Sequence, residues 1–179
     1  MANLWHDLPT GPQPPDRVYA IIEIPSGSRN KYEYSKRTGV IVLNRVLYSS
    51  VHYPGDYGLI PRTFYGDGDP LDILVMTTQP TFPGCVIEAR PIGMFRMVDR
   101  EKPDDKVLAV PATDPNFSHI QELDDIPAHY KIEVAHFFST YKQLEGIQVE
   151  PLGWEPAAVA REQIRHAMRL YGEHFSGIG

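Results

Sequence analysis

Carboxylates dominate the chemistry this chain can offer. In the segment Tyr65-Gly-Asp-Gly-Asp-Pro-Leu-Asp-Ile-Leu-Val75, three of them crowd together as Asp67, Asp69 and Asp72. Asp67 and Asp69 stand two apart, which on an extended backbone puts both side chains on one side. Asp72 has the opposite parity, but Pro70 holds Asp69 extended and bends the chain behind it, so all three can converge. Converging carboxylates suit hard divalent cations, which take oxygen ligands. An Asp-Gly cluster also suits a solvated turn, and the loop by itself leaves both readings open. A calcium loop of the EF-hand kind fits poorly: Asp72 stands where that loop needs Gly, and Thr78 where it needs Glu.

Further charged residues are spread along the chain. Glu23 interrupts an apolar strand, where a buried carboxylate must be paired or bind a cation. Lys31 and Glu33 alternate on one side of the next strand, and Arg45 lies on the one after. Asp99 ends a long apolar stretch, and Asp104 and Lys106 open the strand that follows. Tyr53 and Tyr57 lie four apart across Pro54-Gly55, with hydroxyls able to reach a phosphate, while Tyr141-Lys142 lies near a helix end. Singly, each has an ordinary structural reading. Glu23 with Arg45 reads as an ion pair, 99–106 as a solvated hairpin, Lys142 as a solvated helix charge, and the tyrosines as packing. His119, His129 and His136 are not spaced as a metal motif, and His136, beside Phe137, fits packing or a subunit contact.

The elements that must carry these residues are legible from periodicity. Strands are expected at 17–24, 31–34, 39–48, 71–77, 85–98 and 106–110, separated by Gly and Pro. Asp124-Asp125 with Pro127 reads as a helix start. Tyr130, Val134, Phe137, Phe138, Tyr141 and Leu144 recur at helical spacing before Gly146. A second helix is expected from about Glu155 to Phe175, with Ala160, Ile164, Ala167, Met168, Tyr171 and Phe175 on one face. Strands first and helices last favour an α+β fold, a small antiparallel barrel flanked by helices.

Composition narrows the function. The 179 residues suit one domain, 1–179. A net charge of −6 opposes nucleic acid as a partner, since phosphate backbones are held by surplus Lys and Arg. No stretch reaches the ~18 apolar residues of a membrane span, and no signal segment is visible at the N-terminus. Cys85 is the single cysteine, which excludes an intrachain disulfide and a cysteine zinc site and fits a reducing, cytoplasmic setting.

Read in order, these residues resemble the family I soluble inorganic pyrophosphatases of the prokaryotic type. Asp67-Gly-Asp69-Pro-Leu-Asp72-Ile is similar to that family's signature in full. The resemblance extends through Glu23-Ile-Pro25, Lys31-Tyr-Glu33, Arg45, Tyr53, Tyr57, Asp99, Asp104, Lys106, His136-Phe-Phe and Tyr141-Lys142, about residues 17–155. It implies a five-stranded antiparallel barrel related to the OB-fold, with two helices of the C-terminal half packed outside. It also implies hydrolysis of pyrophosphate to two phosphates by a water activated between several Mg2+ ions, for which Mn2+ or Zn2+ could substitute. By the same resemblance Asp67, Asp72 and Asp104 would hold the activating metal, with Asp72 bridging to a second. Asp99, with Glu23 or Glu33 through water, would help place the metals arriving with substrate. Asp69 would orient or deprotonate the nucleophilic water. Lys31, Arg45, Tyr141 and Lys142 would bind phosphate oxygens, supported by Lys106, Tyr53 and Tyr57. A homo-oligomer is implied too, a hexamer favoured, with His136 and the first long helix at an interface. The first sixteen residues and the Arg100–Pro103 connection match no pattern and are expected to carry no chemistry.

Charge balance supports the metal. Seven carboxylates against four cations leave the implied site at a formal −3. A pyrophosphate of roughly −3 to −4 deepens that, and roughly three divalent ions restore neutrality. Phosphoryl transfer is mostly positioning and charge stabilisation, so no protein nucleophile is required. Two other functions compete. A phosphohydrolase acting on nucleoside triphosphates or polyphosphate would want a base pocket, and no aromatic cluster accompanies the phosphate-binding residues. A non-catalytic OB-type nucleic-acid module would want a basic groove with stacking aromatics, which the acidic cluster opposes.

Overall fold

The computed structural model describes residues 3–176. In chain order the elements are a helical turn α1 (Leu4–Asp7), β1 (Val18–Ile24), β2 (Asn30–Tyr34), β3 (Ile41–Val46), β4 (Asp56–Leu59), β5 (Asp72–Val75) and β6 (Val86–Asp99). Then come β7 (Lys102–Pro103), β8 (Lys106–Pro111), α2 (Ala128–Thr140), β9 (Val149–Pro156) and α3 (Ala157–His174), with short 3-10 turns between some of them.

Five strands close a ring. β1 pairs with β4, β4 with β5, β5 with β8, β8 with β6, and β6 returns to β1. This is the expected OB-like barrel with C-terminal helices, with one difference. The β5–β8 contact is parallel, because β6 intervenes in sequence and the chain reaches β8 by crossing over rather than by a hairpin. β9 and β7 extend the sheet along β6, while β2 and β3 form a separate hairpin.

Both faces of the barrel strands are apolar, which is why they read as near-continuous hydrophobic runs. Leu74, Leu108, Val110 and Phe95 share a buried cluster with Val134, Phe137 and Phe138 of α2. Their neighbours Ile73, Val75, Val107 and Ala109 share another with Ala160, Ile164 and Ala167 of α3. A third cluster joins Trp5 of α1 to Ile21, Tyr34 and Leu59, with Tyr171 and Phe175 packed against it.

Several elements depart from expectation. β4 contains Gly58, where an added Cβ would stand 1.9 Å from the Ile21 carbonyl oxygen. Only glycine lets the two backbones approach that closely, so the residue that argues against a strand is what permits this one. β9 carries Pro151, Pro156 and Gly153 (φ +110) and reads as a loop, yet it pairs along β6 from Gly93 to Asp99. Asp124 and Asp125 do not open α2. They lie in the 3-10 turn Leu123–Asp125, where Asp125 accepts from the Gln121 and Glu122 N–H groups. Leu144 is exposed beyond the end of α2, and Gly146 closes a following 3-10 turn instead of the helix.

Candidate active site

Thirteen of the fourteen residues singled out in the sequence line one cleft of about 630 Å3. Six parts of the fold deliver them. β1 carries Glu23, and β2 and β3 carry Lys31, Glu33 and Arg45, with Lys31 opposite Arg45. β4 carries Tyr57. The acidic loop and β5 bring Asp67, Asp69 and Asp72. The β6–β8 ribbon brings Asp99, Asp104 and Lys106, and Tyr141-Lys142 follows α2. Tyr53 does not line the cleft. It is buried, with its ring 5.4 Å from that of Tyr57 and 4.7 Å from that of Phe137.

The acidic loop is not extended, so the parity argument for Asp67 and Asp69 does not hold. Gly68 takes φ +91, the Tyr65 N–H donates to the Asp69 carbonyl at 2.8 Å, and the Gly68 N–H donates to Tyr65 at 3.0 Å. Asp67 Oδ1 accepts from the Asp69 N–H at 3.0 Å, an Asx turn. A glycine in the left-handed region turns the chain, and the turn brings both carboxylates to the cleft by a different route.

Ion pairs organise the charges. The parallel β5–β8 register sets Asp72 beside Lys106. Lys106 Nζ donates to Asp72 Oδ2 at 2.5 Å and to Asp104 Oδ1 at 2.6 Å, and the Tyr57 hydroxyl donates to the same Asp72 oxygen at 2.7 Å. Burial opposes the charge on Lys106, but Asp72, Tyr57 and Asp104 outweigh it and hold its ammonium well above the ordinary lysine range. Lys142 pairs with Asp99, Lys31 with Glu33, and Arg45 with Glu145 (Nε to Oε1 2.7 Å). Glu23 does not pair with Arg45. Its Oε1 accepts from the Tyr34 N–H at 2.6 Å, and burial raises its carboxyl to about 7. Burial, with Asp72 and Asp104 close by, raises Asp67 to about 6.

The donor set fits a hard divalent cation. Asp67, Asp72 and Asp104 offer carboxylate oxygens, and burial together with the two neighbouring carboxylates raises Asp67, a site where a cation would be welcome. As they stand, no three acidic, His or Cys side chains among the described residues converge on one point. The Lys106 ammonium draws Asp72 and Asp104 to itself.

Four charged residues of the cleft were not anticipated. Glu145 holds Arg45, and Lys36 pairs with Asp69. Arg100 and Lys102 also line the cleft, so the connection expected to carry nothing contributes two cations to it. Arg100 and Glu101 turn the chain there with φ of +51 and +66. With them the cleft holds eight carboxylates and seven cations, close to neutral before substrate arrives. Lys36 lies past the end of β2 and off the parity of Lys31 and Glu33, so no spacing marks it, and nothing local marks Glu145.

Comparison with known proteins gives a consistent picture. A family model described as inorganic pyrophosphatase matches residues 20–172. An inorganic pyrophosphatase of Haloferax volcanii is 55% identical over 177 residues, covering 98% of this chain and all of that protein. A soluble inorganic pyrophosphatase of Arabidopsis thaliana is 42% identical over 97% of this chain and 80% of its own length. The crystal structure of the Thermus thermophilus inorganic pyrophosphatase superposes with a TM-score of 0.92 at 46% identity, covering 95% of this chain and 99% of that one.

Proposed function

We propose, starting from a chain that belongs to the inorganic pyrophosphatase family and hydrolyses pyrophosphate to two phosphates, that the reaction takes place in this acidic cleft with Mg2+ as its metal. The observation that carries the proposal is the convergence of charged residues from six parts of the fold on one open cleft. Magnesium, when bound, would supply water acidification near neutral pH and neutralise the departing phosphate. Asp67, Asp72 and Asp104 are the residues to hold it, with Asp99, Glu23 and Glu33 near enough to place further ions.

The chain's own groups divide the remaining work. Asp69 has a half-exposed side chain, and Lys36 is its ion-pair partner. It can therefore turn to accept a proton from an attacking water, as a general base. Lys31, Arg45 and Lys142 each rest on a carboxylate, Glu33, Glu145 and Asp99. Phosphate oxygens would draw these cations away, so the cleft keeps them aimed without leaving them unpaired. Tyr141 and Tyr57 wall the cleft, and Lys106 holds Asp72 and Asp104 at a fixed spacing. The aromatics of the described cleft, Tyr34, Tyr57 and Tyr141, are all buried and offer no face on which a nucleotide base could stack. That favours pyrophosphate over ATP.

The same proposal covers a single domain over 1–179 working in the cytoplasm as a homo-oligomer, a hexamer favoured. No helix among the described residues is long and apolar enough to cross a membrane. On α2, Ile132 is 63% exposed and His136 follows one turn later, an apolar and polar pair that a second copy would cover. Phosphate release from pyrophosphate, with magnesium and with chelator, tests the main reading. Rapid release that chelator abolishes, with ATP a poor substrate, is expected. No release from folded protein in magnesium would remove the cleft from consideration.

A further inference from the structure

Asp105 is a buried carboxylate for which the reaction described above has no use. It stands between Asp104 and Lys106 but points away from the cleft they line. Its Oδ2 accepts from the Tyr65 hydroxyl at 2.6 Å, and its Oδ1 from the Met97 N–H at 3.2 Å. Arg96 Nε lies 3.4 Å from Oδ2. The Met97 carbonyl in turn accepts from the Asp104 N–H at 3.0 Å, so Asp105 and Asp104 hold the N–H and the carbonyl of the same residue of β6. At the other end, Tyr65 closes the acidic loop, through its N–H to Asp69 and its carbonyl from Gly68.

These contacts form a chain. The acidic loop with Asp67 and Asp69 and the ribbon with Asp99 and Asp104 are distant in sequence, and the Tyr65–Asp105 bond is a buried polar tie between them. The loop is otherwise lightly anchored at its tip, where Gly66, Gly68 and Asp69 are exposed. Apart from this tie, the distance from Asp67 to Asp104 rests on the β5–β8 pairing, on the Leu71 N–H donating to the Thr63 hydroxyl, and on the Lys106 bridge between Asp72 and Asp104.

We propose that Tyr65 and Asp105 are positioning residues that hold the acidic loop at a fixed distance from the Asp104 ribbon, so that carboxylates from two segments meet one magnesium ion. This rests on the reading of the cleft as a magnesium site. Outer partners of metal ligands control affinity because an ion demands its oxygens within a few tenths of an ångström. Magnesium, small and strictly octahedral, is the least forgiving of common ions in this respect.

Tyr65→Phe keeps the ring, removes one hydroxyl and changes no charge. Magnesium affinity of the substrate-free protein, read by titration calorimetry, should fall about tenfold or more. The KM for pyrophosphate at saturating magnesium should move little. In an Asp105→Asn background, the same Tyr65→Phe change should alter magnesium affinity less than twofold, since the bond it removes is already weakened. Unchanged affinity in Tyr65→Phe, or a full effect in the Asp105→Asn background, would overturn the inference. A parent protein that binds no magnesium would overturn the reading of the cleft itself and this inference with it.

Discussion

Lys106 carries the heaviest electrostatic duty of any residue in the cleft. Its ammonium is buried between Asp72 and Asp104 and lies 5.5 Å from the centre of the Tyr57 ring. Removing one partner of such a set strands the others as buried charge. Lys106→Met should therefore cost the metal-free protein about 3–5 kcal/mol in urea denaturation. Magnesium should restore much of the loss in the variant, and no restoration would mean that no ion replaces the ammonium. Asp69 presents the opposite case. Half exposed and paired only with Lys36 among the described residues, it contributes little to stability. Asp69→Asn should leave denaturation and magnesium binding nearly unchanged while kcat falls by about a hundredfold or more. Equal losses of kcat and magnesium affinity would mark Asp69 as a ligand instead. Residue types made this chemistry readable in the sequence, because few roles other than cation binding gather so many carboxylates and lysines. Their geometry was less readable: the left-handed Gly68 turns the loop, and no spacing rule announces that.

At the scale of elements, the sequence disclosed what obeys a period and hid what depends on a distant partner. β1, β6 and β8 are long β-rich runs, and α2 and α3 show helical spacing, so each was expected within a few residues. β4 hides behind Gly58, and β9 behind two prolines, because each strand exists by pairing with a neighbour far along the chain. α1 is shorter still and is held by what it touches. Trp5 Nε1 donates to the Thr63 carbonyl at 2.9 Å, the Arg62 N–H donates to the Trp5 carbonyl at 2.9 Å, and Asn3 Nδ2 donates to the Lys36 carbonyl at 3.1 Å. The N-terminal turn thus clasps both the β2–β3 hairpin and the approach to the acidic loop, although none of its residues lines the cleft. Trp5→Ala should cost about 3–5 kcal/mol in urea denaturation, as for other large buried aromatics. A loss below about 1 kcal/mol would show that the turn docks without supporting either element.

For the molecule as a whole, net charge and metal binding are one problem. A chain of −6 that gathers eight carboxylates in one cleft needs cations beside them, and its own lysines and arginines there supply seven. Glu23 at about 7 and Asp67 at about 6 stand above their ordinary carboxylate values. Between those ordinary values and pH 6–7, the folded metal-free protein binds more protons than the unfolded chain. These two groups therefore stabilise it fully at low pH, and that contribution is lost as pH rises through 6 and 7. Asp104 runs the other way, since Lys106 outweighs burial and lowers it, but its window lies below the ordinary aspartate value and outside this range. Magnesium must displace the protons on Glu23 and Asp67 before it can use either oxygen. Its stabilising effect should accordingly be large at pH 8 and small at pH 5.5. At a hundredfold excess over Kd, binding contributes about 2.7 kcal/mol, or about 5–10 °C in Tm for a protein of this size. Calorimetric scans with and without magnesium at the two pH values measure the difference directly. A shift of equal size at both would mean that the ion binds without contesting these protons, away from Glu23 and Asp67.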